Sequence, residues 1–261
     1  PSRFLKMNDR PKLEFFFKGF PEDVRFRAHT VPESLRIAKG TLYEAWFNAL
    51  KLSPFYSHGI DTDDWPSQLA RRTFQTFGDL RDTTFDRWWV EKGYTLFAEQ
   101  GEFRRIMRTD GEAKVSETSP SITLLVPLNV SPKTLKSQFA ALLEKHHPHY
   151  KNFDPWEAAT ARVRLTGRER LTSVSINLYL QVYSAWVEKT KRGNSFHLYD
   201  IGEELRLNPR ESVLSDDGPA IVRDKHGRMS VFVSEYLQKG KKLIAHATEG
   251  RFPCLEDHHW V

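Results

Sequence analysis

The chain has 261 residues, of which 39% are hydrophobic and 13% aromatic, with a formal charge of +5 and seven tryptophans. That length allows one large domain or two ordinary ones, and the aromatic content argues against disorder. Residues 122–128, the longest apolar run, are too short to span a bilayer, and the lone Cys254 excludes an internal disulfide framework.

Residues 1–40 are basic and irregular, and the opening Pro1-Ser-Arg-Phe-Leu-Lys6 has no apolar h-region. An intracellular, cytoplasmic protein with no membrane partner is expected. Residues 13–20 predict a short strand or an aromatic anchor. Thr41 and Glu44 predict a capping box opening a helix that buries Leu42, Ala45, Trp46, Ala49 and Leu50, with Ser53-Pro54 as its stop. The acidic loop Asp61-Thr-Asp-Asp64 lacks the turn glycine and distal glutamate of a calcium loop. Helices follow from Ser67 to about Phe77, carrying Leu69, Phe74 and Phe77, and from Thr84, carrying Phe85, Trp88, Trp89, Leu96 and Phe97.

Residues 122–128 predict a strand, and Ser131-Pro132 starts a helix with Leu135, Phe139, Leu142 and Leu143 on one face. Asp154-Pro-Trp156 predicts a helix through Ala161. A long helix from Thr172 carries Val174, Leu178, Val182, Trp186 and Val187. Residues 197–207 predict a helix ended by Asn208-Pro209. Asp216-Asp-Gly-Pro219 and Lys225-His-Gly227 read as turns around a hairpin of 220–224 with 228–231. From Ser230 a basic helix buries Val233, Tyr236, Leu237, Gly240, Leu243 and Ile244, and Gly250 stops it. The expectation is a mainly α-helical fold with a minor β component, in which two helical modules (1–115 and 151–261) flank a strand–helix bridge (116–150).

The pair Ile201-Gly-Glu-Glu-Leu-Arg-Leu207 and Val233-Ser-Glu-Tyr-Leu-Gln-Lys239 resembles the two central helices of helix-turn-helix DNA-binding proteins. The likeness covers about 50 residues, roughly 197–247, and it departs from the family by inserting residues 208–229 where the family has a short turn. It implies that the second helix lies in a DNA major groove, with Ser234, Glu235, Gln238 and Lys239 facing bases and phosphates.

Charge segregation points the same way. Residues 161–192 hold seven Lys/Arg against two acids, whereas residues 41–103 hold ten acids against six bases. A basic flank favours a polyanion through counterion release, so Lys241, Lys242, Arg164, Arg168, Arg170, Lys189 and Arg192 join the candidate DNA-binding residues. The first expectation is sequence-specific binding of double-stranded DNA, as in a regulator or a mobile-element accessory factor. A non-enzymatic subunit of a nucleoprotein assembly is the alternative, with a protein partner or second copy docked on the N-terminal half. A metal-dependent nucleic-acid enzyme is the third. Neither His146, His147 and His149 nor Cys254, His258 and His259 has a zinc-ligand spacing, and no nucleotide-binding or nucleophile motif occurs. No catalytic residue, metal or cofactor is assigned.

Overall fold

Most helices of this chain begin where a hydroxyl can accept a free backbone N–H. The structure, a computed structural model, describes residues 10–15, 19–20, 28–100, 122–147, 149–154, 159–166, 171–193 and 195–261. Thr30 caps α1 (Val31–Ala38), Thr41 caps α2 (Leu42–Leu52), Ser53 caps α3 (Pro54–Thr62) and Ser67 caps α4 (Gln68–Phe77). Each cap satisfies one of the N–H groups that a helix start leaves unpaired. At α2 the expected reciprocal box is shifted by one residue. Thr41 Oγ1 accepts from the Tyr43 N–H at 3.3 Å, while Glu44 reaches back to the Gly40 N–H at 2.7 Å. Ser53 both ends α2 and starts α3, and its hydroxyl bonds Thr248 Oγ1 at 2.7 Å.

The aromatic residues then fill the space between these helices. α5 (Phe85–Trp88) passes through a π-helical turn (Trp89–Gly93) into α6 (Tyr94–Leu96). Trp46, Trp88 and Trp89 are buried, as their places on apolar stripes predict. Trp88 stacks on Phe77 at 5.4 Å and donates its indole N–H to the Phe77 carbonyl at 2.9 Å. Trp89 stacks on Phe15 at 5.6 Å and donates to Ser34 Oγ at 3.0 Å. The two adjacent indoles therefore face different elements. Gly93 makes this possible, since a Cβ there would stand 2.8 Å from both rings.

α8 (Ser173–Lys191), α9 (Leu198–Glu204) and α10 (Pro219–Thr248) complete the core, and α10 is its central strut. It packs on α8, α9, α2 and α4. Gly240 lets it approach α8, because a Cβ at Gly240 would meet the Tyr179 carbonyl at 2.7 Å. Trp46 donates to the Ala247 carbonyl at 3.4 Å and stacks on Phe252 at 5.5 Å. Buried side chains from residues 15–98 and 159–252 thus belong to one continuous cluster.

The fold is mainly helical. Among the described residues, β pairing is confined to isolated antiparallel bridges, Leu13 with His29 and Phe15 with Ala98. Residues 122–127 have no regular secondary structure and form no strand, which corrects that expectation. A β-prone run becomes a strand only beside an edge with free N–H and C=O groups, and Leu125 and Leu128 are 99% and 93% exposed. α7 (Pro132–His146) starts at the Ser131 cap with Pro132 in its first turn, as expected, but none of its residues is buried.

Other boundaries also move. Of the helix expected from Asp154 to Ala161, Asp154 and residues 159–161 are not helical, and residues 155–158 lie outside the described residues. α8 buries Ile176, Tyr179, Leu180, Val182 and Tyr183, while Val174 is 76% exposed, because α10 crosses on the tyrosine side. α9 ends at Glu204, before Asn208-Pro209, since Arg206 turns left-handed with φ 50°. The hairpin at 220–231 is absent. Pro219 opens α10 in its first turn, and Met229 and Val233 on its inner face are buried, so packing carries the helix straight through Lys225-His-Gly227. Among the described residues no helix is long and apolar enough to cross a membrane.

Candidate nucleic-acid interface

At about 100° per residue, Ser234, Glu235, Gln238, Lys239 and Lys242 fall within an arc of about 140° on one side of a helix, and Lys241 lies just beyond its Ser234 edge, turned about 160° from Lys239. The structure brings those five together. With Leu255 they line a shallow groove of about 370 Å³ on the outer side of α10. Buried Val233, Leu237, Gly240, Leu243 and Ile244 hold the opposite side of the helix in the core. Lys241 points elsewhere, its ammonium 5.1 Å from the Trp186 ring centroid.

The two lysines of the groove are held differently. Lys239 Nζ lies 5.5 Å from the Tyr179 ring centroid and 5.6 Å from that of Tyr236. Ring faces attract and orient an ammonium without cancelling its charge. Lys242 Nζ is 2.6 Å from Asp257 Oδ1, and that bond lowers the Asp257 carboxyl below its ordinary pKa. Asp257 is 98% exposed. Exposed ion pairs contribute little to stability, so an incoming phosphate can take the carboxylate's place. Gln238 is exposed at the centre of the groove and Ser234 is half-buried one turn before it.

The remaining candidates stand outside this groove. Lys189 pairs with Glu204 of α9 at 2.8 Å, and Arg192 pairs with Glu188. Arg164 is exposed in the segment 159–166. Arg168 and Arg170 lie outside the described residues. Sequence reasoning missed Leu255 and Asp257, which belong to a tail read as a simple exit from the helix. A hint was present in the acids Glu256 and Asp257 following a glycine stop beside a basic helix.

The tail is pinned along α10. His258 Nε2 and Glu249 Oε2 are 3.1 Å apart, and Arg251 bonds Glu256 at 2.7 Å. His246 Nε2 is 3.1 Å from the Glu256 carbonyl, and burial lowers the His246 pKa. Burial alone would raise Glu249, but hydrogen bonds from Ser67 and His258 outweigh it and hold that carboxyl low. Among the described residues no three His, Cys, Asp or Glu side chains are placed to hold a metal ion.

The arrangement of α9 and α10 departs from the helix-turn-helix pattern that the sequence resembles. α9 and α10 do pack together, but residues 205–218 join them and α10 begins at Pro219. Val233-Ser234 lies inside the helix, so the groove is on the flank of α10, whereas family members read bases near the start of the second helix. No protein-family model, curated protein or solved structure matches this chain.

Proposed function

We propose that the protein binds double-stranded DNA through the outer flank of α10. One observation carries this reading: Ser234, Gln238, Lys239 and Lys242 line a single open groove on a rigid helix. Lysines supply phosphate contacts that set affinity, while a glutamine side chain can pair bidentately with an adenine edge. Specific recognition, as in a transcriptional regulator or a mobile-element factor, is the form of binding such a surface suits.

The test is a titration of duplex DNA at several salt concentrations, comparing wild type with Lys239→Glu/Lys242→Glu. Each lost phosphate contact removes about 0.9 from the slope of log affinity against log salt. The double variant should bind more weakly and with a slope shallower by roughly 1.8, while Gln238→Ala should change sequence preference more than slope. A variant with the wild-type melting curve that binds as tightly, with the same slope, would overturn the proposal.

A further inference from the structure

The outer flank of α10 continues toward its N-terminus beyond the groove. Ala220, Arg223, Asp224, Gly227, Arg228 and Val231 bound a hollow of about 520 Å³ whose floor is Gly227. A glycine inside a helix costs about 1 kcal/mol relative to alanine. Elsewhere on these helices the chain's own packing explains a glycine: a Cβ at Gly202 would meet Met229 at 2.4 Å, and one at Gly240 would meet the Tyr179 carbonyl at 2.7 Å. At Gly227 a Cβ would meet nothing within 4 Å. Among the described residues, nothing uses the close approach that Gly227 permits.

The residues around the hollow are complementary to themselves. Asp224 and Arg228 are one turn apart on the same flank and paired within the chain, where Arg228 also bonds Glu211 at 2.8 Å, and both are exposed. Exposed Ile221 and Val231 lie beyond them, 51% and 62% accessible. We infer that α10 packs antiparallel on α10 of a second copy, with the two-fold axis at the level of His226. An antiparallel two-fold at that level sets residues equidistant from it opposite each other. Arg228 then faces the partner's Asp224, Val231 faces the partner's Ile221, and the reciprocal pairs repeat across the axis. A perpendicular two-fold keeps each flank on its own side, so the charged pairs meet on one edge of the contact. At the centre the two Gly227 backbones can approach closely, as small residues permit between packed helices.

The helices overlap over residues 219–233, which leaves residues 234–242 of both copies uncovered. At about 1.5 Å of rise per residue the two Gln238 side chains lie roughly 36 Å apart along the helix direction. That matches about one turn of B-DNA, roughly 34–36 Å. This spacing rests on the DNA-binding reading; the self-association does not.

The experiment is sedimentation velocity over a range of concentrations with wild type, Asp224→Arg, Arg228→Asp and an equimolar mixture of the two variants. Wild type should form a concentration-dependent dimer, and each variant alone should associate about tenfold or more weakly, because four like charges then meet. The mixture should dimerise again, since positions 224 and 228 are then both arginine in one chain and both aspartate in the other. Circular dichroism melting confirms that each variant is folded. A wild type that stays monomeric at every concentration, or single variants that dimerise like wild type, overturns the inference. Duplex titration of the same samples separates the two readings: a wild-type dimer that binds no duplex leaves the interface standing and removes the DNA reading alone.

Discussion

His246 is 2% exposed near the end of α10, against the tail that it helps to hold. Desolvation lowers its pKa from the ordinary value of 6.5, and nearby His258 and Arg251 act in the same direction, against the Glu256 carbonyl and carboxylate. The unfolded chain therefore takes up a proton at a higher pH than the folded one does. The stability from neutral His246 is fully present above about 6.5 and is lost as pH falls through its lower folded value. Glu249 acts with the same sign at more acid pH, its lowered carboxyl contributing above its ordinary pKa of 4.5 and less as pH falls below it. The melting temperature should drop between pH 7.5 and 5.5, and His246→Gln should flatten that drop. A wild-type melting temperature constant across that interval would show that His246 does not titrate between the two states.

At the scale of elements, two glycines of α10 separate a contact made from one left open. Gly240→Ala places a methyl 2.7 Å from the Tyr179 carbonyl and 3.2 Å from Tyr183 Cβ. Backbone cannot yield as a flexible side chain does, so α8 and α10 must separate, at a cost of about 1–3 kcal/mol. Over most of that range the cost outweighs the gain of about 1 kcal/mol from helix propensity. Gly227→Ala, measured where the chain is monomeric, should instead keep that gain. Urea unfolding of the two variants should show shifts of opposite sign. Equal shifts would mean that the α8–α10 approach is looser than the structure has it.

Much of this element pattern was legible beforehand. Hydroxyl caps before α2, α4, α7 and α8, and glycine after α10, are local signals whose physics lies within a few residues. The facing of Lys239 and Lys242 together, with Lys241 turned away, follows from helical geometry alone. What failed depended on distant partners. Gly227 read as a turn because glycine usually punctuates, yet Met229 and Val233, buried on the inner face of α10, carry the helix through. The run 122–128 read as a strand because nothing local reveals whether an edge stands beside it. Asp257 was missed since only the folded tail brings it to Lys242.

For the whole molecule, the links between the two ends of the chain matter most. Ser53 with Thr248, Trp46 with Ala247 and Trp46 with Phe252 are all buried, and they join α2 to the end of α10. An acidic half and a basic half of the sequence therefore share one core. Calorimetry should show one cooperative transition, with its calorimetric and van't Hoff enthalpies equal. Two resolved transitions would mean that residues 10–98 and 159–252 unfold as separate units.

The same Trp46 contacts set an order of events while the chain is being made. Its indole N–H partner is 201 residues away in sequence, and synthesis proceeds at about 5–20 residues per second. For roughly 10–40 s after Trp46 leaves the ribosome, then, its site lacks the segment of chain that closes it. During that interval the indole and its neighbours Phe77 and Phe97 form an apolar surface open on the side of α10. A nascent chain truncated before Ala247 should therefore expose this aromatic surface and bind a hydrophobic dye that the full chain excludes, and a chain extended through Phe252 should lose that binding.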